Sequence, residues 1–536
     1  MRLRKLLVPR LDAPLPLWMI FPVVFAALYA SHFTLLRLPY YWDEAGYYIP
    51  AAWDFFRTGS LIPVTTLTNA HPPLESVYLA LWWKVSGFHP EVTREAVLMV
   101  AAMGLLAVWR LAVRLMGVGS VAFWTVVLTG LYPIWFAQSS LAHADIFAAA
   151  CTLWGLVYAL PERDPKPWAA TLWFSAAVLS KETAVAVPLT LALVCIVEGL
   201  RARPPARFRL WREAGWLASC VLPLAAWYGW HYAKTGFLFG NPEFLRYNAQ
   251  ANLDPLRFLA AFGHRILHLT AHMNLFVPVP IAVAARLLLE PRLDAEEHER
   301  MGIGRAASRR ILLLLLVNAL LFSVLGGALL TRYLLAMYPL VLLLVVSTFY
   351  RRAPFWQGLA LLSAAAFVLG LFVNPPYGFA PEDNLAYGHV IRLHLAGIAQ
   401  LNKRYPGATV LSAWPMTDEL TRPELGYLKK QYDVYPIEDF TAEQIARAAT
   451  VPEKYSAALV FSTKYDPARP LLSLGRASEA LDERFFGLHH DLSPEEIARQ
   501  LGGTLVWKGA DQGQWVGLIR FERVLDASMR MPDWWR

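Results

Sequence analysis

Residues Leu17–Leu36 read LWMIFPVVFAALYASHFTLL, twenty residues without Asp, Glu, Lys or Arg. A second run of the same length, Ile311–Leu330, is equally free of charge. About 20 apolar residues in a helix cross the roughly 30 Å hydrocarbon core of a bilayer. Because lipid offers the backbone no hydrogen bonds, both runs are expected to be helical, and they predict a polytopic α-helical membrane protein.

The composition indicates the same class. Of the 536 residues, 56% are hydrophobic and only 17% are charged, a ratio that a water-soluble globule could not hide in its cores. The net charge of +8 comes from arginines clustered beside apolar runs, which is typical of membrane topology signals rather than of nucleic-acid binding. Cys151, Cys195 and Cys220 lie in apolar segments, so the sequence indicates neither a disulfide framework nor a zinc site.

Arginine-rich loops predict the topology, because basic residues concentrate on the cytoplasmic side and the number of crossings between two such loops must be even. These clusters lie at 2–10, 110–114, 201–212 and 286–310, with a shorter one at 351–352. The first apolar run lacks a small-residue cleavage site and is expected to be an uncleaved span. The N-terminus is then inside and the C-terminus outside. Eleven spans are predicted, at 17–36, 94–115, 120–138, 146–160, 168–180, 183–199, 214–232, 268–289, 311–330, 334–350 and 355–373.

The same topology places a set of polar side chains at the outer ends of the helices. Ionisable groups at membrane depth are costly, roughly 2.5–3.5 kcal/mol each, and persist mostly where they line a wet cavity or a functional site. Several of them at one level therefore predict one outward-facing cavity. The set comprises Asp43, Glu44, His71, Asp145, Lys181, Glu182, the segment 234–265 with Arg246, and Arg332 with Tyr333.

The acidic residues and the histidine also have simpler interpretations. Asp43 follows the first span and could be a helix N-cap, although a cap needs no second acid beside it. Asp145 begins the fourth span and could satisfy orphan amides in the same way. His71 precedes two prolines that hold it at a defined place, and a lone histidine is more often a structural hydrogen-bonding group.

The later polar pairs have simpler interpretations too. The segment SKETA, residues 180–184, lies between two short apolar halves that form either two crossings or one broken helix. Its Lys181 and Glu182 could form a neutral ion pair that anchors a hairpin at the interface. Arg332 and Tyr333 could be ordinary interface anchors.

Taken in order, however, these motifs resemble the GT-C glycosyltransferases, multi-span enzymes that use polyprenyl-phosphate sugars. The resemblance is to the branch that holds the protein O-mannosyltransferases and the lipid A aminoarabinose transferases. It covers roughly residues 1–375, and its Asp-Glu and Pro-Pro-Leu elements are fairly specific. The motifs are WDEAGYY at 42–48, HPPL at 71–74, Asp145 in the second outer loop, SKETA at 180–184 and RYLLAMYP at 332–339.

The resemblance implies roles for individual residues. Asp43 resembles the catalytic carboxylate, Glu44 a residue that supports it, and Asp145 the second acidic residue of the site. His71 stands where the aminoarabinose transferases carry lysine before the two prolines, and Ala70 where they carry glutamate. This departure weakens the case for that particular sugar and for a metal site built on that glutamate. The family has metal-independent and metal-assisted members, so a divalent cation is left open.

The implied reaction moves a hexosyl or pentosyl group from a polyprenyl-phosphate donor to an acceptor. The phosphate leaves as an anion that needs cations, and Lys181, Arg332 and arginines such as Arg246 in GNPEFLRYNAQANLDPLRF lie on the expected side. Asp43 is the candidate base for the acceptor hydroxyl, worth roughly 10² to 10⁴ in rate, and direct displacement predicts inversion. Further candidate substrate-binding residues are His71, Glu182 and Tyr333.

The expected partners are a polyprenyl-phosphate-linked sugar, a lipid, protein or glycan acceptor, and membrane lipids. The expected location is the inner membrane of a bacterial cell envelope. Two rival classes stay open. A transporter also buries charges between helices, usually near the midplane and on broken helices rather than at one rim. A non-catalytic assembly factor would keep the fold without the activity.

Beyond Val373 the hydrophobic pattern changes, and the sequence predicts a soluble extracytoplasmic α/β domain. The expected division is a transmembrane domain at 1–374, with a large first outer loop at 37–93, followed by this domain at 375–536. It carries no catalytic motif, which indicates a scaffold or acceptor-docking role. Predicted strands are ATVLSA, SAALVFS, TLVWKG and QWVGLIRFE, with a turn at GADQG, and predicted helices lie near 388–404, 441–449 and 494–501.

Overall fold

In the computed structural model the chain divides into two compact units. The membrane unit comprises Met1–Leu36 and Pro50–Val373, and the C-terminal unit comprises Arg37–Ile49 and Asn374–Arg536. These units differ from the expected domains in the segment 37–49, which the sequence analysis assigned to the outer loop of the membrane domain. The structure describes residues 16–66, 68, 71–161, 165–238, 240, 254–294, 297–325, 327–465 and 476–521.

The membrane unit is built of helices. Short 3₁₀ turns at Glu182–Val185, His272–Asn274 and Thr331–Leu334 interrupt the longer ones. Polar residues concentrate at these interruptions. The helices are α1 Leu17–His32, α2 Ile49–Thr58, α3 Leu74–Ser86, α4 Pro90–Met116, α5 Gly119–Leu131, α6 Pro133–Gln138, α7 Ala144–Ala159, α8 Pro167–Ser180, α9 Ala186–Arg201, α10 Ala206–Ala218, α11 Val221–Thr235, α12 Pro255–Thr270, α13 Pro278–Leu288, α14 Arg305–Val324, α15 Tyr338–Arg352 and α16 Trp356–Phe372.

Helices long and apolar enough to cross a membrane are present. Within the described ranges three qualify, Pro90–Met116, Glu182–Arg201 and Arg305–Val324, and a fourth does if one bent pair counts as a single span. The eleven crossings therefore stay a prediction. Shorter apolar helices of 10–17 residues are Leu17–His32, Gly119–Leu131, Ala144–Ala159 and Trp356–Phe372.

Three predicted spans are not continuous helices. The span expected at 120–138 is divided at Tyr132, whose extended backbone separates α5 from α6. The span expected at 268–289 is part of a helix pair bent by 103°. Met273 has a φ of 46°, a left-handed conformation that a helix cannot contain, and the second helix restarts at Pro278. The span expected at 214–232 is two helices, because Pro223 lacks the N–H of a regular helix bond and its ring crowds the preceding turn.

Helix α4 lies at the centre of the bundle. In its most apolar stretch of 18 residues 72% is buried in the protein, against 39% in the corresponding stretches of Glu182–Arg201 and Arg305–Val324. Small residues let its neighbours approach: a Cβ at Gly104 would lie 2.9 Å from the Trp135 ring. Interiors are packed this closely throughout, so added volume has no free space to enter.

We expect Gly155→Ala to destabilise the contact between α7 and α8. A Cβ at this position would lie 2.4 Å from the ring of Phe174, which is fully buried and has no room to withdraw. Overpacking of this kind costs about 1–3 kcal/mol. Thermal unfolding of the detergent-solubilised protein should show a lower midpoint for Gly155→Ala. Gly229→Ala is the matched control, because a Cβ there meets nothing within 4 Å; equal midpoints for the two variants would contradict this packing.

The C-terminal unit is an α/β sandwich around a mixed sheet. The strand order is β2-β1-β3-β5-β4. Strands β1, β2 and β3 run parallel, whereas β5 is antiparallel to both of its neighbours. The strands are β1 Thr409–Ala413, β2 Asp433–Ile437, β3 Ala457–Phe461, β4 Thr504–Asp511 and β5 Gln514–Arg520, and the helices are α17 Ala386–Arg404, α18 Met416–Thr421, α19 Ala442–Ala449, α20 Arg476–Phe485 and α21 Pro494–Leu501.

Four of these strands lie where the sequence predicts them, and one does not. Strand β3 is buried along its whole length, which suits the apolar run AALVF at the centre of the sheet. Gln512 and Gly513 both have positive φ, the conformation that a two-residue hairpin between β4 and β5 requires. The sequence missed β2, because Pro436 in DVYPI argues against a strand; β2 is an edge strand, where proline is tolerated.

Candidate active site

An ion-pair cluster is buried among the helices of the membrane unit. Lys181 Nζ donates a 2.7 Å hydrogen bond to Asp145 Oδ1. Arg332 Nε lies 3.4 Å from Asp145 Oδ2, an ion pair without hydrogen-bond geometry. The three side chains are between 3% and 7% exposed. Two cations thus share one carboxylate out of contact with water.

Each member of this cluster lies where a helix begins or ends. Asp145 is the second residue of α7. Lys181 is extended, with φ −148° and ψ 120°, and separates α8 from the 3₁₀ turn that precedes α9. Arg332 lies in the 3₁₀ turn Thr331–Leu334. Helix ends carry polar groups that need partners, so charged side chains collect there. Asp145 is an ion-pair partner, and its interpretation as a simple cap is wrong.

The ring of Tyr333 lies beside these cations. Lys181 Nζ is 4.2 Å from the ring centroid, and the guanidinium carbon of Arg265 is 5.7 Å from it. A cation over an aromatic face is attracted by the ring quadrupole, more strongly when water is excluded. Because Arg332 is only 3% exposed, it is not the lipid-facing anchor that the simpler interpretation assumed.

Arg265 is a further member of the candidate site: it ends the segment 234–265 expected at the outer ends of the helices, but the sequence motifs did not mark it individually. It is fully buried on α12, where its Nε donates to Phe322 O at 3.1 Å and its Nη1 to Leu330 O at 2.8 Å. Its Nη2 is buried and has no hydrogen-bond partner among the described residues. The available signal was an arginine in the amphipathic helix that follows the GNPEFLRYNAQANLDPLRF segment.

His143 is a second residue that the sequence analysis missed. Its Nδ1 lies 2.8 Å from Gln138 Oε1 and 3.3 Å from Arg332 Nη1. It occupies the N-cap position of α7, two residues before Asp145. The buried imidazole therefore links the start of α7 to Arg332, and the signal for it was a histidine beside the predicted acidic residue.

His71 and Glu182 form a separate pair in the membrane unit. Their Nδ1 and Oε2 atoms are 2.8 Å apart, and the side chains are 15% and 22% exposed. The simpler interpretation of the neighbours Lys181 and Glu182 was an ion pair between them. The structure instead joins Lys181 to Asp145, because the extended backbone at Lys181 sends adjacent side chains in different directions.

Asp43 and Glu44 belong to the C-terminal unit. Glu44 is fully buried, and its Oε2 accepts a 2.8 Å hydrogen bond from the main-chain N–H of Tyr41. Asp43 precedes a π-helix, Glu44–Tyr48, and its side chain makes no cap hydrogen bond to that helix. The N-cap interpretation of Asp43 is therefore wrong, while Glu44 holds the turn that carries both acids.

The structure thus brings together Asp145, Lys181, Arg332 and Tyr333 of the predicted set, and joins His71 to Glu182. Arg246 and Ala70 lie outside the described residues. Within the described part of the chain, no group of three or more His, Cys, Asp or Glu side chains is arranged to hold a metal ion.

The sequence matches no protein-family model and no curated protein. The fold does match solved structures. One is ArnT from Cupriavidus metallidurans bound to undecaprenyl phosphate, with a TM-score of 0.54 at 15% identity over 94% of this chain and 97% of the other. The apo form of that protein gives a TM-score of 0.51 at 14% identity over 94% and 98%. This likeness confirms the GT-C-like membrane fold that the sequence motifs predict.

We expect Asp145→Asn to destabilise the protein more than Lys181→Met. The first change removes the carboxylate that two buried cations contact, whereas the second leaves Asp145 paired with Arg332. Removing one partner of a buried ion pair costs about 3–5 kcal/mol. Unfolding midpoints in detergent measure the difference. Glu198→Gln, in the more exposed pair with Arg310, is the control and should cost at most about 1 kcal/mol. A larger loss for Lys181→Met than for Asp145→Asn would contradict this charge arrangement.

Proposed function

We propose that this chain is an integral-membrane glycosyltransferase that moves a sugar from a polyprenyl-phosphate donor to an acceptor on the extracytoplasmic face. The observation that carries the proposal is the group of three buried cations close to Tyr333. Lys181 and Arg332 share the carboxylate of Asp145, and Arg265, 5.7 Å from the ring centroid of Tyr333, bonds to main-chain carbonyls and a histidine.

Three buried cations in one place favour an anionic ligand. Burying an ion costs several kcal/mol unless an opposite charge and hydrogen bonds compensate it. Among the described residues Arg265 Nη2 is buried without a hydrogen-bond partner, and a guanidinium is well suited to bind phosphate through two parallel hydrogen bonds. A bound phosphate would accept hydrogen bonds from Arg265, Lys181 and Arg332.

The fold supports a lipid as the carrier of that phosphate. The ArnT structure of the same fold was obtained with undecaprenyl phosphate. In this chain Lys181 and Arg332 lie at the ends of membrane-unit helices, where a headgroup attached to a buried lipid tail would be expected. Helices of this length and hydropathy are themselves consistent with an integral membrane protein.

The chemistry follows from these groups. The lipid phosphate leaves as an anion, and preorganised cations stabilise the charge that develops on it. We propose that Lys181, Arg265 and Arg332 serve this purpose and that Asp145 holds the first and the last in place. Asp43 is the proposed base that takes the proton of the acceptor hydroxyl, with Glu44 fixing its backbone. One base and a direct displacement would invert the anomeric centre.

The finer assignment is also a proposal. The transferred group is a hexose or a pentose, and the acceptor is a lipid, a protein or a glycan. The N-terminus is cytoplasmic, the domain at 375–536 is extracytoplasmic, and the protein resides in the inner membrane of a bacterial cell envelope. His71 and Glu182 are proposed to contact the substrate, because they are the more exposed of the paired groups.

We expect Arg265→Gln to weaken binding of undecaprenyl phosphate about 10- to 100-fold. The change removes a charge-assisted hydrogen bond, worth about 1.5–3 kcal/mol. The shift of the unfolding midpoint with added undecaprenyl phosphate measures the affinity. Arg209→Gln is the matched control, since Arg209 is 65% exposed and its nearest acid, Glu213, is 3.8 Å away. Equal affinities for the two variants would rule out Arg265 as a phosphate ligand.

We expect Asp43→Asn to lower sugar transfer about 10²- to 10⁴-fold, because the acceptor hydroxyl loses its base. The assay incubates the purified protein in lipid nanodiscs with a panel of undecaprenyl-phosphate sugars and measures which are consumed. Affinity for undecaprenyl phosphate should not change, since the phosphate ligands are other residues. Undiminished transfer by Asp43→Asn would show that Asp43 is not the base. If the wild-type protein consumes none of the donors, the enzyme assignment is wrong.

A further inference from the structure

The segment Arg37–Ile49, which carries the proposed base, has an unusual backbone. Trp42 has a φ of 48°, the left-handed region that a bulky residue rarely enters. The five residues that follow Asp43, Glu44–Tyr48, form a π-helix, a rare conformation that is frequent at functional sites. Conformations of this kind persist only where the surroundings over-determine them. Several contacts within the C-terminal unit hold this segment.

Tyr40 is the first anchor of the segment. Its main-chain N–H donates to Leu425 O at 3.2 Å, and its main-chain carbonyl accepts a 3.0 Å hydrogen bond from the hydroxyl of Tyr427. The next residue, Tyr41, packs its ring against Tyr387 at a centroid distance of 5.9 Å. The backbone is therefore hydrogen-bonded to the C-terminal unit on both sides of the Tyr40 Cα, three residues before Asp43.

Trp414 is the second anchor, and it touches both sides of the acidic pair. Its ring meets Trp42 edge-on at 5.1 Å and lies 6.1 Å from the ring of Tyr47. Its Nε1 donates to Asp418 Oδ2 at 3.0 Å, and Arg422 Nε lies 3.2 Å from the other oxygen of that carboxylate. The indole is thereby held in one orientation rather than free to turn.

Gly46 packs directly on this indole. A Cβ at position 46 would lie 2.9 Å from Trp414 Cζ2 and Nε1, closer than real side chains approach. Trp414 follows the last residue of β1, Thr409–Ala413, a strand inside the parallel part of the sheet. The carboxyl ends of parallel strands are where α/β sheets usually present binding loops. In this unit, that edge of the sheet holds the segment that carries Asp43.

We propose that Trp414 is a positioning residue for sugar transfer: by packing on Gly46 and Trp42, it sets the orientation of the Asp43 carboxylate. This proposal rests on the proposed role of Asp43 as base. It gives the C-terminal unit a part in the reaction beyond a scaffold or an acceptor-docking domain. A small misplacement of a reacting group is enough to cost about 10²-fold in rate, so a contact three residues away can control the reaction.

The first test measures, without any substrate, how firmly the contacts of Trp414 hold the segment 37–49. Gly46→Ala in the full-length protein forces the segment away from Trp414, and amide hydrogen exchange in peptides covering 37–49 should become faster. Gly378→Ala is the matched control in the same unit, because a Cβ there meets nothing within 4 Å. Unchanged exchange in Gly46→Ala would overturn the proposal.

The second test asks whether the contact acts through Asp43. We expect Gly46→Ala to lower kcat about 10- to 100-fold with the undecaprenyl-phosphate sugar consumed fastest in the panel, and to leave the affinity for undecaprenyl phosphate unchanged. In the Asp43→Asn background, Gly46→Ala should cause no further loss, because the group it misplaces is already absent. A full further loss in that background would show that Gly46 acts independently of Asp43 and would overturn the proposal.

The outcomes separate this proposal from the one on which it rests. If Asp43→Asn keeps full activity, both the role of Asp43 as base and the positioning role of Trp414 are wrong. If Asp43→Asn loses activity as expected but Gly46→Ala does not, only the positioning role is wrong. Should Gly46→Ala not fold, Tyr427→Phe deletes only the hydroxyl that bonds to Tyr40. We expect it to lower kcat about 2- to 10-fold, and to cause no further loss in the Asp43→Asn background. An unchanged kcat would contradict the positioning of Asp43 by these contacts.

Discussion

One buried carboxylate shared by two cations organises the candidate site of the membrane unit. Asp145 lies at the start of one helix, Lys181 at the break between two others and Arg332 in a 3₁₀ turn, so their ion pairs join three separate elements. In a low-dielectric interior an unpaired charge is very costly. The helix ends therefore have to meet for the ions to be tolerated. The same constraint gathers positive charge in one place, which is what a phosphate ligand requires.

Interrupted helices are the structural means by which these charges reach one place. A continuous helix hides its polar backbone groups, whereas a break exposes them together with the side chains beside it. The extended residue Lys181 and the 3₁₀ turn at Thr331–Leu334 are two such breaks. Close packing elsewhere, as at Gly104 and Gly155, gives the bundle the rigidity that holds the breaks in position.

The acidic pair after the first apolar run is held in a different way. Glu44 is buried and bonded to its own turn, and aromatic side chains of the C-terminal unit pack around the segment. A π-helix and a left-handed tryptophan are unfavourable for an isolated loop. A sheet-based unit can impose them, because its strands and helices are fixed by many hydrogen bonds. The C-terminal unit therefore holds the acidic pair in a conformation that a free loop would not keep.

The sequence by itself determined the membrane class, the GT-C-like fold and several members of the candidate site, among them Asp145, Lys181 and Arg332. Hydrophobic runs and local motifs are properties of neighbouring residues, so they can be read along the chain. Only the tertiary structure decided which charges pair. Lys181 bonds to Asp145, 36 positions away, rather than to its neighbour Glu182. Arg265, His143 and Trp414 were not named as candidate site residues for the same reason: their importance lies in contacts between distant segments, which the local sequence pattern does not show.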